Sequence, residues 1–157
     1  MAGRQTPATR AADAAGIAYT LHEYEHDPRA ESFAGEAAEV LGLDPDRVFK
    51  TLVVAVDDGD LAVAIVPASG SLDLKAVGKR AAMADPARAE KVTGYVAGGI
   101  SPLGQRRALP TFVDETAELW DTVYVSAGRR GLEIELAPGD LVALTGAAVR
   151  ELGRAGS

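Results

Sequence analysis

The spacing of apolar and polar positions changes period several times along the chain. In IAYTLHEY the apolar residues Ile17, Tyr19 and Leu21 stand two apart, which predicts a strand with one buried face. FKTLVVAVDDGDLAVAIVPA holds two β-rich runs around Asp57-Asp58-Gly59-Asp60 and predicts a hairpin. Its first run, 51–56, is nearly all apolar and is expected to be covered on both faces. LPTFVD, TVYVSA and LEIEL predict three further strands, with Glu133 and Glu135 of LEIEL alternating outward to face solvent. Helical signals lie between the strands. Thr6-Pro7 reads as an N-cap followed by proline at the first helical position, and Gly16 as the stop, which predicts a helix over 7–15. EAAEVLGL predicts a short amphipathic helix ending near Gly42. Ser71 is a candidate cap for a helix through LDLKAVGKRAA, and Asp85-Pro86 opens another that Gly94 closes. GDLVALTG and AAVRELG predict two short helices near the end, and the glycine-rich TGYVAGGISPLGQ predicts a loop. Without a linker or repeat, this mixture predicts one α/β domain on a mixed sheet.

Composition narrows the function classes. The 157 residues are 47% hydrophobic but only 5% aromatic, so one core built mainly of Ala, Val and Leu is expected. No apolar run approaches a membrane span, and MAGRQTPATRAADAAG lacks the apolar centre of a secretory leader, so no membrane association is expected. Cysteine is absent, which excludes disulfides, thiolate metal sites and a cysteine nucleophile, and fits a cytoplasmic location. The net charge of −7 argues against gripping a DNA duplex; any RNA contact is expected to be small and local, or shared with a partner.

The stretch LHEYEHDP contains His22-Glu23-Tyr24-Glu25-His26, the H-E-x-x-H pattern of zinc hydrolases. That pattern needs a helix, where residues four apart lie roughly 6 Å apart on one face. On a strand the same residues are about 13 Å apart, and one ion cannot take both imidazoles. The local pattern is strand-like, Asp27-Pro28 cuts off any following helix, and the chain has no third histidine. The reading is therefore no metal, with two solvated histidines near a strand end. Alternation puts His22, Tyr24 and His26 on the face opposite Ile17, Tyr19 and Leu21, from which the Tyr24 phenol can point into a cleft as a donor.

Three places can carry chemistry. Lys50 opens an apolar strand; it is either a cation that binds an anion or carbonyl, or a strand-end lysine whose head reaches water. The Gly98–Gly104 loop GGISPLG can present backbone N–H groups as an oxyanion hole or be an ordinary surface turn; it lacks the GK[ST] ending of a P-loop. In VSAGRRG, Ser126 ends a strand, and Arg129 and Arg130 are either phosphate contacts or surface charges. No Ser-His-Asp arrangement is apparent.

Taken in order, LHEYEHDP, FKTLVVAV, LAVAIVPASGSLDLK, MADPARAEKVTGYVAGGISPLGQRRALPTFVD and YVSAGRRGLEIEL closely resemble the YbaK/EbsC-type aminoacyl-tRNA deacylases. These are related to the editing domain inserted in bacterial prolyl-tRNA synthetase. The resemblance runs from about Thr6 to Leu152, and TGY-x-x-GGISPLGQ and FKTL are its most specific parts. It implies a single α/β domain with a mixed, barrel-like sheet core and surrounding helices. It also implies a trans-editing enzyme that cleaves the ester between a wrong amino acid and the tRNA 3′ end, typically Cys-tRNA(Pro), without a cofactor. Lys50 matches the family's central functional lysine, with Thr51 beside it. Tyr24 and Phe33 match pocket positions. Gly98, Gly99, Ile100, Ser101 and Pro102 match a G-x-x-x-P loop, and Ser126 and Gly128 match a V-S-x-G turn.

Two departures stand out: LKAVGKRAAMADP is shorter than the family's usual segment, and Glu133 stands where some members carry Asp. With no nucleophile or base apparent, the family implies that the cysteinyl thiol attacks its own carbonyl. The amides around Gly98–Ser101 would hold the oxyanion, and Lys50 would hold the terminal phosphate or polarise the ester. Tyr24, Phe33 and Ser126 would shape the aminoacyl pocket. The protein would need only the CCA end, leaving prolyl-tRNA synthetase as candidate reader of the tRNA body. Deacylation of Ala- or Pro-tRNA, and a non-catalytic sensor of aminoacyl or nucleotide ligands, stay open as alternatives.

Overall fold

A computed structural model describes residues 5–27, 29, 33–56 and 59–154. In chain order the elements are α1 (Pro7–Ala15), β1 (Tyr19–Glu23), α2 (Phe33–Leu41), β2 (Phe49–Ala55), β3 (Leu61–Pro67), β4 (Ser71–Leu72), β5 (Ala82–Met83), α3 (Pro86–Thr93), β6 (Thr111–Asp114), β7 (Val123–Arg129), β8 (Leu132–Leu136), α4 (Pro138–Thr145), β9 (Ala148–Arg150) and β10 (Gly153–Arg154).

The helix ends follow their local signals. The Thr6 hydroxyl accepts from the Thr9 amide at 3.1 Å, and Thr9 Oγ1 accepts from the Thr6 amide at 2.9 Å, a reciprocal cap on α1. Thr6 Oγ1 also donates to the Ala127 carbonyl, so the cap fastens α1 to β7. Asp85 caps α3, and Gly16, Gly94 and Gly146 end α1, α3 and α4 in the left-handed region.

The strands form a five-stranded sheet in the order β5-β2-β3-β6-β9 and a three-stranded antiparallel sheet β1-β8-β7. β2 and β3 are the predicted hairpin, with Phe49 opposite Pro67 and Ala55 opposite Leu61. β6 lies parallel to both β3 and β9, which makes the larger sheet mixed. The two sheets meet where Val48 bridges Tyr124, and the Tyr124 amide donates to the Arg47 carbonyl at 3.0 Å. Between them lies the main core, with Phe49, Ile65, Val113, Val125, Leu132 and Ile134 essentially solvent-free.

Three local expectations need correction. No helix follows Ser71: Ser71–Leu72 pairs with Gly153–Arg154, Asp73 caps only a single 3-10 turn at Leu74–Ala76, and Ala82–Met83 joins β2. Nor is AAVRELG a helix. β9 pairs with β6, and the Asp114 carboxylate accepts from the amides of Leu152 at 2.8 Å and Gly153 at 3.0 Å, which keeps the segment extended. Both reversals come from partners distant in sequence, which override weak local propensity. Finally, β3 rather than β2 is buried throughout, because positions 50–52 of β2 open onto a cavity.

Candidate active site

That cavity has a volume of about 450 Å³, within the usual range for small-molecule sites. β2 supplies Phe49, Lys50, Thr51 and Leu52, and the start of α2 supplies Phe33 and Ala34. Tyr24 enters just beyond β1, Gly98 and Ile100 come from the glycine loop, and the β7–β8 hairpin brings Ser126, Arg129, Arg130 and Glu133.

Lys50 is half-buried, and burial holds its pKa below the ordinary lysine value. Its Nζ donates to the Gly70 carbonyl at 2.8 Å and has no carboxylate partner among the described residues. An ammonium carries three donors, so two remain for a ligand. Beside it, Thr51 Oγ1 is buried and unpartnered among the described residues. A buried hydroxyl without a partner is costly.

The glycine loop is braced on every side. The Tyr95 phenol donates to the Leu103 carbonyl at 2.5 Å, and Ser101 Oγ accepts from the Leu103 amide at 3.1 Å. Gln105 Nε2 donates to the Ser101 carbonyl at 3.0 Å, and the Ala97 amide donates to Glu90 Oε2 at 2.7 Å. Gly98 has φ 88°, and a Cβ there would strike the Phe33 ring and the Arg130 guanidinium. At Gly99 a Cβ would lie 2.8 Å from Arg129 Cα, so two backbones touch. The Gly99 amide is taken by the Val96 carbonyl at 2.9 Å. The amides of Gly98 and Ile100 have no partner among the described residues and are the donors left for an oxyanion.

A polar chain closes one side of the mouth. Glu36 accepts from the Asp27 amide at 2.7 Å and binds His26 Nδ1 at 2.8 Å. With Nδ1 donating to that carboxylate, His26 Nε2 accepts from Arg130 Nη1 at 3.3 Å. Arg130 Nη2 in turn donates to the Ala97 carbonyl at 3.1 Å, and the guanidinium stacks 4.2 Å from the centre of the Phe33 ring. His22 goes elsewhere, its Nε2 lying 2.9 Å from Glu135 Oε1. The two histidines thus serve different carboxylates, and each ties two elements together rather than standing solvated. Among the described residues no group of His, Asp and Glu is arranged to hold a metal ion.

Glu133 overturns a further expectation. It is 6% exposed rather than facing solvent, and burial pushes its carboxyl up to about 8 from an ordinary 4.5. It makes no hydrogen bond or ion pair among the described residues, and its oxygens are not sealed off from the cavity that it lines. Leu132, Ile134 and Leu136 fill the inner face of β8, as alternation requires. The outer face is not free, because Ala37 and Ala38 of α2 pack there with Val48 and with Tyr124 of β7, which lies opposite Glu135. Local hairpin closure does not place it: Arg129 pairs with Leu132, which in a regular ladder would set Glu133 opposite Gly128, and a bulge between Ser126 and Arg129 shifts the register so that Glu133 faces Ser126. Tyr24, on the same side of the cavity, is raised to about 12 by burial and by Glu133, so its phenol stays protonated.

Of the residues singled out from the sequence, the cavity brings together Tyr24, Phe33, Lys50, Thr51, Gly98, Ile100 and Ser126. Gly99, Ser101, Pro102 and Gly128 stand behind its wall. Ser101 is fully buried in the loop's own bonds, and Gly128, at φ 113°, packs against Tyr95 and Thr6. Arg129, Arg130 and Glu133 join the wall beyond the matched motif.

A cavity on a mixed α/β fold, lined by a lysine with two N–H groups to spare and by Gly98 and Ile100 of the glycine loop, agrees with the family match. Residues 28–144 match the family of aminoacyl-tRNA editing domains, and the chain belongs to that family. Among its relatives is EbsC of Enterococcus faecalis, provisionally assigned as a Cys-tRNA(Pro)/Cys-tRNA(Cys) deacylase, which is 37% identical over 136 residues, 83% of each chain. The crystal structure of a protein provisionally described as a trans-editing enzyme for prolyl-tRNA synthetase is 28% identical and superposes with a TM-score of 0.81, over 96% of this chain and 99% of the other. That of a hypothetical protein is 25% identical, with a TM-score of 0.83 over 95% and 100% of the two chains.

Proposed function

We propose that this protein is a trans-editing deacylase that removes cysteine from mischarged tRNA(Pro), using the substrate's own thiol. The observation that carries this reading is the cavity itself. Lys50, Gly98 and Ile100 line one space, and among the described residues no histidine or cysteine lines it to act as base or nucleophile. What lines the wall is suited to orientation and charge stabilisation rather than covalent chemistry. The cysteinyl sulfur attacks its carbonyl carbon, and the oxyanion forms against the Gly98 and Ile100 amides. Lys50 faces the ester with its two remaining N–H groups. The carbon–O3′ bond then breaks, the thiol proton passes to the departing 3′ oxygen, and the products are a cyclic thiolactone and free tRNA. Tyr24 and Phe33 enclose the amino acid. Pocket shape discriminates side chains of similar size only modestly, whereas a requirement for a thiol is chemical. The chain's net charge of −7 suits a protein that takes only the CCA end, with prolyl-tRNA synthetase holding the tRNA body.

The test offers one tRNA charged with cysteine, serine, alanine or proline to the purified protein. Cleavage of the cysteinyl ester far above the others, with thiolactone trapped among the products, is expected. Equal cleavage of the serine and alanine esters would leave deacylation standing but defeat the thiol mechanism. Preferential cleavage of the alanine or proline ester would reassign the substrate.

A further inference from the structure

A mostly buried carboxyl at the cavity wall, bound to no side chain, is the feature that the chemistry above leaves unused. Among the described residues, Glu133 is the acidic residue of the wall. None of the described groups on the neighbouring elements binds it. Opposite it on β1, His22 binds Glu135. Beyond β1, the Tyr24 phenol is neutral. On β2, Lys50 is held by the Gly70 carbonyl. From the turn after β7, Arg130 is held by Ala97, His26 and Phe33, and Arg129 lies 3.8 Å from Glu23. From α2, Glu36 binds His26. Opposite Glu133 on β7, Ser126 Oγ accepts from the Gly128 amide at 3.2 Å, which leaves its hydroxyl proton to donate. Glutamine or an apolar residue would fill this place at lower cost, since unpaired buried carboxyls are expensive. An aminoacyl ester brings one cationic group to such a cavity, the free α-ammonium.

Resting on the function proposed above, we propose that Glu133 receives the substrate's α-ammonium and so restricts cleavage to aminoacyl esters with an unblocked amine. Below about pH 8 the free carboxyl is protonated. When the ammonium enters, that proton leaves to solvent and the carboxylate accepts an N–H bond, so binding releases one proton. The ion pair is formed only in the complex. It turns the carboxyl's burial from a cost into a means of distinguishing charged amines from acylated ones.

The experiment compares cysteinyl-tRNA with N-acetylcysteinyl-tRNA, which keeps the thiol and the ester but blocks the amine. For the wild type, N-acetylation is expected to raise KM about 30-fold or more, as for loss of one partner of a buried charged pair. Glu133→Gln should raise KM for the free-amine substrate similarly while leaving KM for the acetylated one within about twofold. Glu133→Asp, shorter by one methylene, should recover part of the difference. Wild-type KM should climb toward about tenfold per pH unit as pH falls below 7, and the glutamine variant should lose that slope. Equal KM for both substrates in the wild type, or a glutamine variant that weakens both alike, overturns the proposal; matching melting temperatures show that the variants fold. If the wild type cleaves no aminoacyl ester, the deacylase reading fails and binding decides this one separately. Calorimetry with 3′-cysteinylamino-3′-deoxyadenosine and its N-acetyl form, in two buffers of different ionisation enthalpy, should then show preference for the free amine and release of one proton. Equal affinities without proton release reject it.

Discussion

Replacing Glu133 by glutamine tests the physical premise of the site without any substrate. Glutamine keeps the volume and removes the charge. Burial raises the folded-state pKa from 4.5 to about 8, so the folded protein resists ionisation that the unfolded chain undergoes freely. The sign follows: this carboxyl costs nothing below about pH 4.5, and stability is lost as pH rises toward the folded pKa. At about 1.4 kcal/mol for each pH unit in that window, the wild type should lose roughly 3 kcal/mol relative to Glu133→Gln between pH 5 and pH 8. Contributions from other titrating groups are common to both proteins and cancel in the difference. The assay is urea unfolding of both at half-unit pH steps from 5 to 9, with the difference in unfolding free energy plotted against pH. A difference that stays constant to within about 1 kcal/mol would mean that Glu133 ionises freely. A difference that runs the other way would mean that it is a paired carboxylate. The first result would remove the proton release expected on ammonium binding, and the second would remove the capture itself, because a paired carboxylate is already taken.

Lys50→Ala should lower kcat for cysteinyl-tRNA about 100-fold, the scale of one lost oxyanion contact, with the unfolding free energy changed by less than about 1 kcal/mol; retained turnover removes Lys50 from the mechanism. Gly99→Ala should destabilise by about 1–3 kcal/mol, because its Cβ meets the Arg129 backbone at 2.8 Å, and should also slow turnover by displacing the loop from the β7–β8 turn. Denaturant unfolding and single-turnover kinetics read the two effects. Asp114→Ala should cost about 3 kcal/mol by releasing the Leu152 and Gly153 amides and the Thr116 hydroxyl. Burial pushes the Asp114 carboxyl upward, but those hydrogen bonds outweigh it and hold the pKa below 3.8. The advantage of wild type over Asp114→Asn should therefore be present at neutral pH and shrink as pH falls below about 4, in acid-unfolding curves of the two.

The parts of this protein that were legible in its sequence are those governed by neighbours along the chain. The caps at Thr6 and Asp85, the stops at Gly16 and Gly94 and the β2–β3 hairpin all arise from contacts a few residues apart. Strand alternation likewise placed Tyr24 and separated it from Leu21. Family motifs carried Lys50, Gly98 and Ser126 to one site, where the cavity holds them together. The rest needed the assembled chain. Ser71–Leu72 and AAVRELG became strands because their partners lie far away, and local propensity in short segments is too weak to resist a full set of backbone hydrogen bonds. Glu133 is the sharpest case. Alternation identified the face of β8 on which it lies, but whether that face meets water or protein depends on where α2 and β2 arrive. Burial belongs to the packed assembly, and with it come the raised pKa and the missing partner that give this carboxyl its chemistry.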